Sequence, residues 1–253
     1  MSIPDRRVAL VTGAGKRRIG WHVAVALAER GYSIAVHYHT SKSEAAETVE
    51  HLRGLGVEAE SFPADLTDED DANGLIDSAI ARFGRLDVLV NCAAIWQAAR
   101  LEDVKAADLR RHFDTNVLGT FLCARRAGLA MTNQAEGGVI VTFGDWADAR
   151  PYLDYAAYFA SKGAIPTLMR CLAVELGTRN PRVRVNAILP GPAMLPTSLP
   201  EAERLRVIQS TLVQREGRPE NIARAVLYLV ENDFVTGSCL TVDGGRTIYA
   251  GGT

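Results

Sequence analysis

The chain predicts an α/β protein built on a doubly wound parallel sheet of about seven strands with helices on both faces. Two observations carry that expectation. Short apolar runs alternate with helical patterns from end to end, which is the rhythm of a parallel sheet covered on both sides. The first of those runs enters a glycine-bearing turn, and an amphipathic helix leaves it.

Taken in order, the strands are expected at 7–12, 32–38, 57–63, 86–91, 138–143, 182–188 and 238–242. Helical patterns start near Arg18, Ser43, Asp68, Lys105, Tyr155, Glu201 and Pro219, with long ones over 101–130 and 155–178. No internal repeat, low-complexity tract or linker interrupts them. The 253 residues suffice for one open α/β domain, so 1–253 is expected to form a single unit. Pro190 to Pro200 is irregular, with four prolines and exposed-looking Met194, Leu195 and Leu199. Such a segment after a strand's carboxyl end reads as a substrate lid or as an ordinary connection.

Composition narrows the function classes. A hydrophobic fraction of 47% and a net charge of -2 describe an ordinary globule without a nucleic-acid signature. Cys92, Cys123, Cys171 and Cys239 are scattered, which suits packing residues in a reducing compartment. No apolar stretch reaches membrane-spanning length and no signal-peptide pattern opens the chain, so a cytoplasmic protein is expected. A metal reading of His37-x-His39 lacks a third ligand at a recognisable spacing.

The chemistry-bearing residues lie in two places. Tyr158 and Lys162 stand four apart, about one helical turn, so phenol and ammonium share a face. A cation beside a phenol favours phenolate, and the lysine is expected to lower the tyrosine's pKa towards neutrality. Asp145 stands thirteen residues before the tyrosine. At the chain start, Gly13, Gly15 and Gly20 lie in the turn between the first strand and helix, where free N–H groups hold a diphosphate.

Together these residues resemble the short-chain dehydrogenase/reductase family, over the whole length. The ordered matches are Thr12-Gly13 with Gly20, Asp65, Asn91, Asn116, Tyr158-x-x-x-Lys162, Asn186, Pro190-Gly191, Thr236-Gly237 and Asp243-Gly244-Gly245. The resemblance implies a Rossmann fold with a cofactor half at 1–145 and a catalytic and substrate-loop half at 146–253. It also implies a small-molecule substrate, no nucleic-acid or membrane partner, and a homotetramer. The implied cofactor contacts are Gly13, Gly15, Arg17, Arg18, Ile19 and Gly20 in the turn, with His39, Thr40 and Ser41 after the second strand. Further along they are Asp65, Leu66, Asn91, Ala93, Lys162, Pro190 and Gly191. The implied catalytic set is Asp145, Tyr158, Lys162 and Asn116, the last carrying a water that links Lys162 to solvent.

Cofactor choice follows from charge. An acid about twenty residues past the glycine turn would repel a 2′-phosphate, and His37 to Ser41 contains none. Two hydroxyls, a histidine and Arg17 and Arg18 could converge on that phosphate, so NADPH is expected over NADH.

Asp145 departs from the family. Most members carry a serine there that hydrogen-bonds the substrate carbonyl, which an ionised carboxylate cannot do, so ordinary ketone reduction is expected to be poor. The substitution resembles the pteridine reductases and bacterial dihydromonapterin (dihydrofolate) reductases, which use Asp, Tyr and Lys at this spacing. They share the Lys-Arg of the glycine turn, matched by Lys16 with Arg17 or Arg18, and an aromatic residue at the position of Trp96. That resemblance implies hydride transfer to a pterin C=N bond, with Tyr158 protonating the nitrogen and Trp96 stacking on the pterin; Met194 and Leu195 of the irregular segment are expected to line the substrate as well. The alternatives are a generic carbonyl/alcohol oxidoreductase that tolerates Asp145, and a non-catalytic nucleotide sensor. Two further departures are a glycine turn one residue longer than usual and Asn91-Cys92-Ala93-Ala94, which lacks a glycine after the fourth strand.

Overall fold

The computed structural model describes residues 7–249. Seven parallel strands form one sheet: β1 Val8–Thr12, β2 Ser33–Tyr38, β3 Ala59–Pro63, β4 Val88–Asn91, β5 Gly138–Phe143, β6 Val183–Pro190 and β7 Cys239–Val242. Their order across the sheet is β3-β2-β1-β4-β5-β6-β7. The chain therefore winds outward in one direction from β1 and then returns to β4 on its other side. That reversal opens a crevice at the carboxyl ends of β1 and β4, where such sheets bind ligands.

The helices are α1 Ile19–Ala28, α2 Lys42–Gly54, α3 Glu69–Phe83, α4 Ala106–Phe113, α5 Gly119–Thr132, α6 Ala156–Gly177, α7 Glu201–Gln209 and α8 Pro219–Glu231. Strands β1, β2, β4 and β5 are buried along their whole length, as their apolar sequences require of a sheet covered on both faces. One core layer packs α1 and α8 on the sheet through Val23, Leu27, Ile222 and Val226. The other packs α3, α5 and α6 through Leu75, Ile76, Met131 and Met169.

Strand β5 lies where the sequence places it, while the other six begin one or two residues later than expected. The residues before them, such as Val57 and Leu86, are buried without joining the ladder. The long pattern over 101–130 is broken: a π-helical turn, Asp114–Leu118, separates α4 from α5. Asn116 sits inside that turn, and the apolar periodicity runs through it undisturbed. Among the described residues, no helix is long and apolar enough to cross a membrane, and no cluster of His, Cys, Asp or Glu is placed to hold a metal.

Candidate active site

The glycine turn is shaped by close approaches. Gly13 adopts φ +66°, and a Cβ there would meet the Ala93 Cα at 3.0 Å. A Cβ on Gly20 would lie 3.0 Å from the Gly13 carbonyl oxygen, and one on Gly15 would lie 2.9 Å from Ser41 Oγ. Only glycine suits all three positions. The turn is tied to its neighbours by groups that the sequence did not single out for this role. The Gly13 amide donates to His37 Nδ1 at 3.0 Å, and His37 Nε2 lies 3.1 Å from the Ala64 carbonyl. Accepting on Nδ1 fixes the other nitrogen as the donor, so the ring is neutral. Burial pushes its pKa down to about 4.

Of the residues expected at the 2′-phosphate, His39 and Thr40 are exposed beyond β2, and Ser41 lies against Gly15. Arg18 precedes α1 as its N-cap and carries no side-chain cap bond. The Arg17 guanidinium lies over the Trp21 ring, 4.6 Å from its centroid. The expected convergence therefore gains a competitor for Arg17, a cation–π contact within its own turn. An acid also approaches from β3, because Asp65 stands 3.8 Å from His39 Nε2. Its carboxylate accepts from the Thr67 amide and hydroxyl, which hold its pKa below the usual range. Leu66 is buried, and its carbonyl oxygen sits 2.9 Å from where a Gly119 Cβ would stand.

At the crevice, Asn91 ends β4 opposite Thr12. Both polar atoms of its side chain are buried without a partner. Thr12 Oγ1 accepts from the Ala93 amide at 3.0 Å, which sets the chain direction out of β4. Orphaned amide atoms beside a glycine cradle, at the sheet's reversal, fit a polar dinucleotide.

The second cluster lies after β5. Tyr158 Oη donates to Asp145 Oδ2 at 2.8 Å, and Asp145 Oδ1 accepts from the Ala147 amide at 2.9 Å. Lys162 is buried one turn along α6 and donates to the Phe143 carbonyl at 2.7 Å. Here the expected acidification of the phenol is corrected. Burial first, then the neighbouring Asp145, pushes the Tyr158 pKa above its ordinary value. Burial likewise raises the Asp145 pKa, against the pull of the Ala147 amide, the Tyr158 hydroxyl, Lys162 and Arg246. Burial lowers that of Lys162, with Asp145 and Asp148 opposing. Burial and, after it, a carboxylate that holds the proton both make the phenol a poorer acid.

Asn116 is a brace here. Its Oδ1 accepts from the Ile95 amide, and its Nδ2 donates to the Ile95 carbonyl and to Ser161 Oγ. Trp96, expected to face a substrate, is 48% exposed and stacks on Tyr155, with centroids 5.0 Å apart and planes 8° apart. The tyrosine's distance in sequence hid that pairing. Met194 is exposed, and Leu195 is half-buried with its amide donating to Glu216. The segment from Pro190 is held at both ends. The Gly191 amide donates to Val242, and Arg204 of α7 pairs with Glu216.

Two charged residues of this cluster escaped the sequence reading. Both carboxylate oxygens of Asp148 are buried without a partner, and burial with nearby Asp145 raises its pKa to about 6. The Arg246 guanidinium lies over the Trp146 ring, 4.3 Å from its centroid. No local motif marks either residue; only the folded contacts do.

The chain as a whole has close counterparts. The family model described as enoyl-(acyl carrier protein) reductase matches residues 13–247. The chain is a member of the short-chain dehydrogenase/reductase family. It is 34% identical to versicolorin reductase of Emericella nidulans, over 95% of this chain and 96% of that one. It is also 34% identical to 7alpha-hydroxysteroid dehydrogenase of Escherichia coli, over 95% and 94% of the two chains. The structure of acetoin dehydrogenase from Enterobacter cloacae superposes with a TM-score of 0.87 at 34% identity, covering 98% of both chains. A short-chain type dehydrogenase/reductase from Mycobacterium ulcerans superposes with a TM-score of 0.89 at 31% identity, covering 99% and 93%. The protein is an NAD(P)-dependent oxidoreductase of this family.

Proposed function

We propose that this short-chain dehydrogenase/reductase interconverts a carbonyl and an alcohol, with Tyr158 as the proton donor and acceptor and Asp145 holding the proton beside it. The observation that carries this is the 2.8 Å hydrogen bond between Tyr158 and Asp145, one helical turn from a buried lysine. The names of the relatives, a versicolorin reductase, a hydroxysteroid dehydrogenase and an acetoin dehydrogenase, favour the same class.

The nicotinamide cofactor, when bound, supplies or accepts the hydride. Gly13, Gly15, Ile19 and Gly20 would hold its diphosphate, Asn91 and Ala93 would border its middle, and Pro190 and Gly191 would close the far side. Lys162 would position ribose hydroxyls and stabilise negative charge on the tyrosine. Asp145 acts through its protonation state. Carrying a proton, it donates to the phenol or to the substrate oxygen, as a hydroxyl would; ionised, it draws the phenol's proton away. Its raised pKa favours the protonated form more than an exposed aspartate's would. NADPH is the favoured cofactor, because His39, Thr40, Ser41 and the basic turn outnumber the acids at that end, Asp65 and Glu44, the latter paired with Lys16 at 4.0 Å.

A second reading is favoured by one observation, the pairing of a carboxylate with the catalytic phenol near a half-exposed indole. A pterin C=N bond takes its proton on nitrogen, and an acid pair suits that transfer, with Trp96 as the platform. The test is NADPH oxidation with a vicinal diketone, a steroid ketone, a polycyclic aromatic ketone and a dihydropterin, each repeated with NADH. Ketone turnover supports the first reading. Turnover of the dihydropterin alone replaces it with the second.

A further inference from the structure

Beyond β7 the chain turns back over the candidate site and is fastened there. The Asp243 carboxylate accepts from the amides of Gly245 at 2.9 Å and Thr247 at 2.6 Å. Arg150 donates to the carbonyls of Arg246, at 2.8 Å, and Tyr249. The turn also abuts the end of β6, where a Cβ on Gly191 would collide with Asp243. Arg246 is thus carried on a pinned backbone. Its guanidinium is stacked on Trp146, which packs with Tyr158 and Phe159.

That guanidinium is half-buried and, among the described residues, has no ion pair and no hydrogen-bond acceptor. The two carboxylates whose charges reach it are engaged elsewhere. Asp145 is held by Ala147 and Tyr158, and Asp243 by its own turn. The hydroxyl of Thr247, one residue on, is buried and also without a partner. Removing a guanidinium from water without an acceptor is costly, and among the described residues that demand is unmet, which leaves the group open to an incoming anion. Held over the ring, the guanidinium keeps N–H donors that no described residue engages, and such donors can grip a carboxylate with two bonds.

We propose that Arg246 recognises an anionic group of the substrate, so that the reducible carbonyl is carried by a molecule that also bears a carboxylate. This rests on the carbonyl reading above and narrows it to a substrate class. Trp146, over which the guanidinium lies, packs with Tyr158, so an anion held there lies on the phenol's side of the site.

The test compares benzoylformate with its methyl ester, using wild type, Arg246→Met and Arg246→Lys with NADPH. Arg246→Met is expected to raise KM for the acid about 10- to 100-fold, the worth of a lost charge-assisted pair, and to leave the ester within about twofold. Arg246→Lys should fall between. Equal losses on acid and ester, at an unchanged unfolding midpoint, overturn the proposal and leave the carbonyl reading standing. Benzoate binding to the NADP+-loaded protein separates the two ideas when neither compound turns over. Binding that weakens in Arg246→Met supports anion recognition while the carbonyl reading fails. Benzoate binding that is absent, or equal in wild type and Arg246→Met, overturns it.

Discussion

The turn after β1 and the loop after β5 lie on the same edge of the sheet and are built on opposite principles. At the first, close approaches dictate glycine, and a neutral buried His37 ties the backbone of three strands together. At the second, Asp145, Asp148, Tyr158, Lys162 and Arg246 form a network of charges, and the side chains of Asp148 and Arg246 have no hydrogen-bonded or ion-pair partner among the described residues. A cofactor shared by a whole family needs a fixed shape, which backbone supplies. A particular substrate needs tuned protons and charges, which only ionisable groups with unmet demands supply.

The largest test of that contrast removes the phenol's proton. Tyr158→Phe should lower kcat about 10²- to 10⁴-fold, the usual worth of a positioned proton donor, with the cofactor's Kd nearly unchanged. Steady-state kinetics with parallel cofactor titration checks this, and unimpaired turnover would move the chemistry away from the β5 loop.

The shape end should fail differently. Gly13→Ala forces a side chain into φ +66° and against Ala93, so it should weaken cofactor binding at least tenfold, with about 1–2 kcal/mol lost in denaturant unfolding. Its turnover at saturating cofactor should fall far less than that of Tyr158→Phe. Equal losses in kcat would erase the distinction between the two regions.

Much of the shape end was legible in the sequence and much of the tuned end was not. Glycine spacing after an apolar run reports a local backbone need, so Gly13, Gly15 and Gly20 could be read directly. The thirteen-residue interval from Asp145 to Tyr158 likewise pointed to a contact that the structure contains. The pKa direction of Tyr158 could not be read, because it depends on burial and on which carboxylate oxygen faces the phenol. Asp148 and Arg246 belong to no motif, and their roles exist only once β5, β7 and α6 converge. Asn116 was marked by its motif, but the π-helical turn that carries it leaves the apolar pattern of the segment intact and could not be read.

A smaller effect sharpens the comparison through stability. His37 has its pKa lowered from 6.5 to about 4, so the unfolded chain binds more protons in that interval and stability should fall as pH drops through it. Asp148 has its pKa raised from 3.8 to about 6, so the folded chain binds more protons there and stability should fall as pH rises. The two regions therefore contribute opposite slopes between about pH 4 and 6. Against wild type, His37→Gln should remove the rising slope and Asp148→Asn the falling one, read from denaturant midpoints across that range. Variants whose slopes both match wild type would show that neither group is held away from its ordinary titration.

The most direct measurement of the central claim, that Asp145 holds the Tyr158 proton, is the pH profile of kcat/KM for ketone reduction in wild type and Asp145→Ser. Because Asp145 raises the tyrosine's pKa, its removal should shift the alkaline limb to lower pH, by about one unit or more. Superimposable profiles would contradict the account and leave Asp145 as a structural cap of the loop after β5.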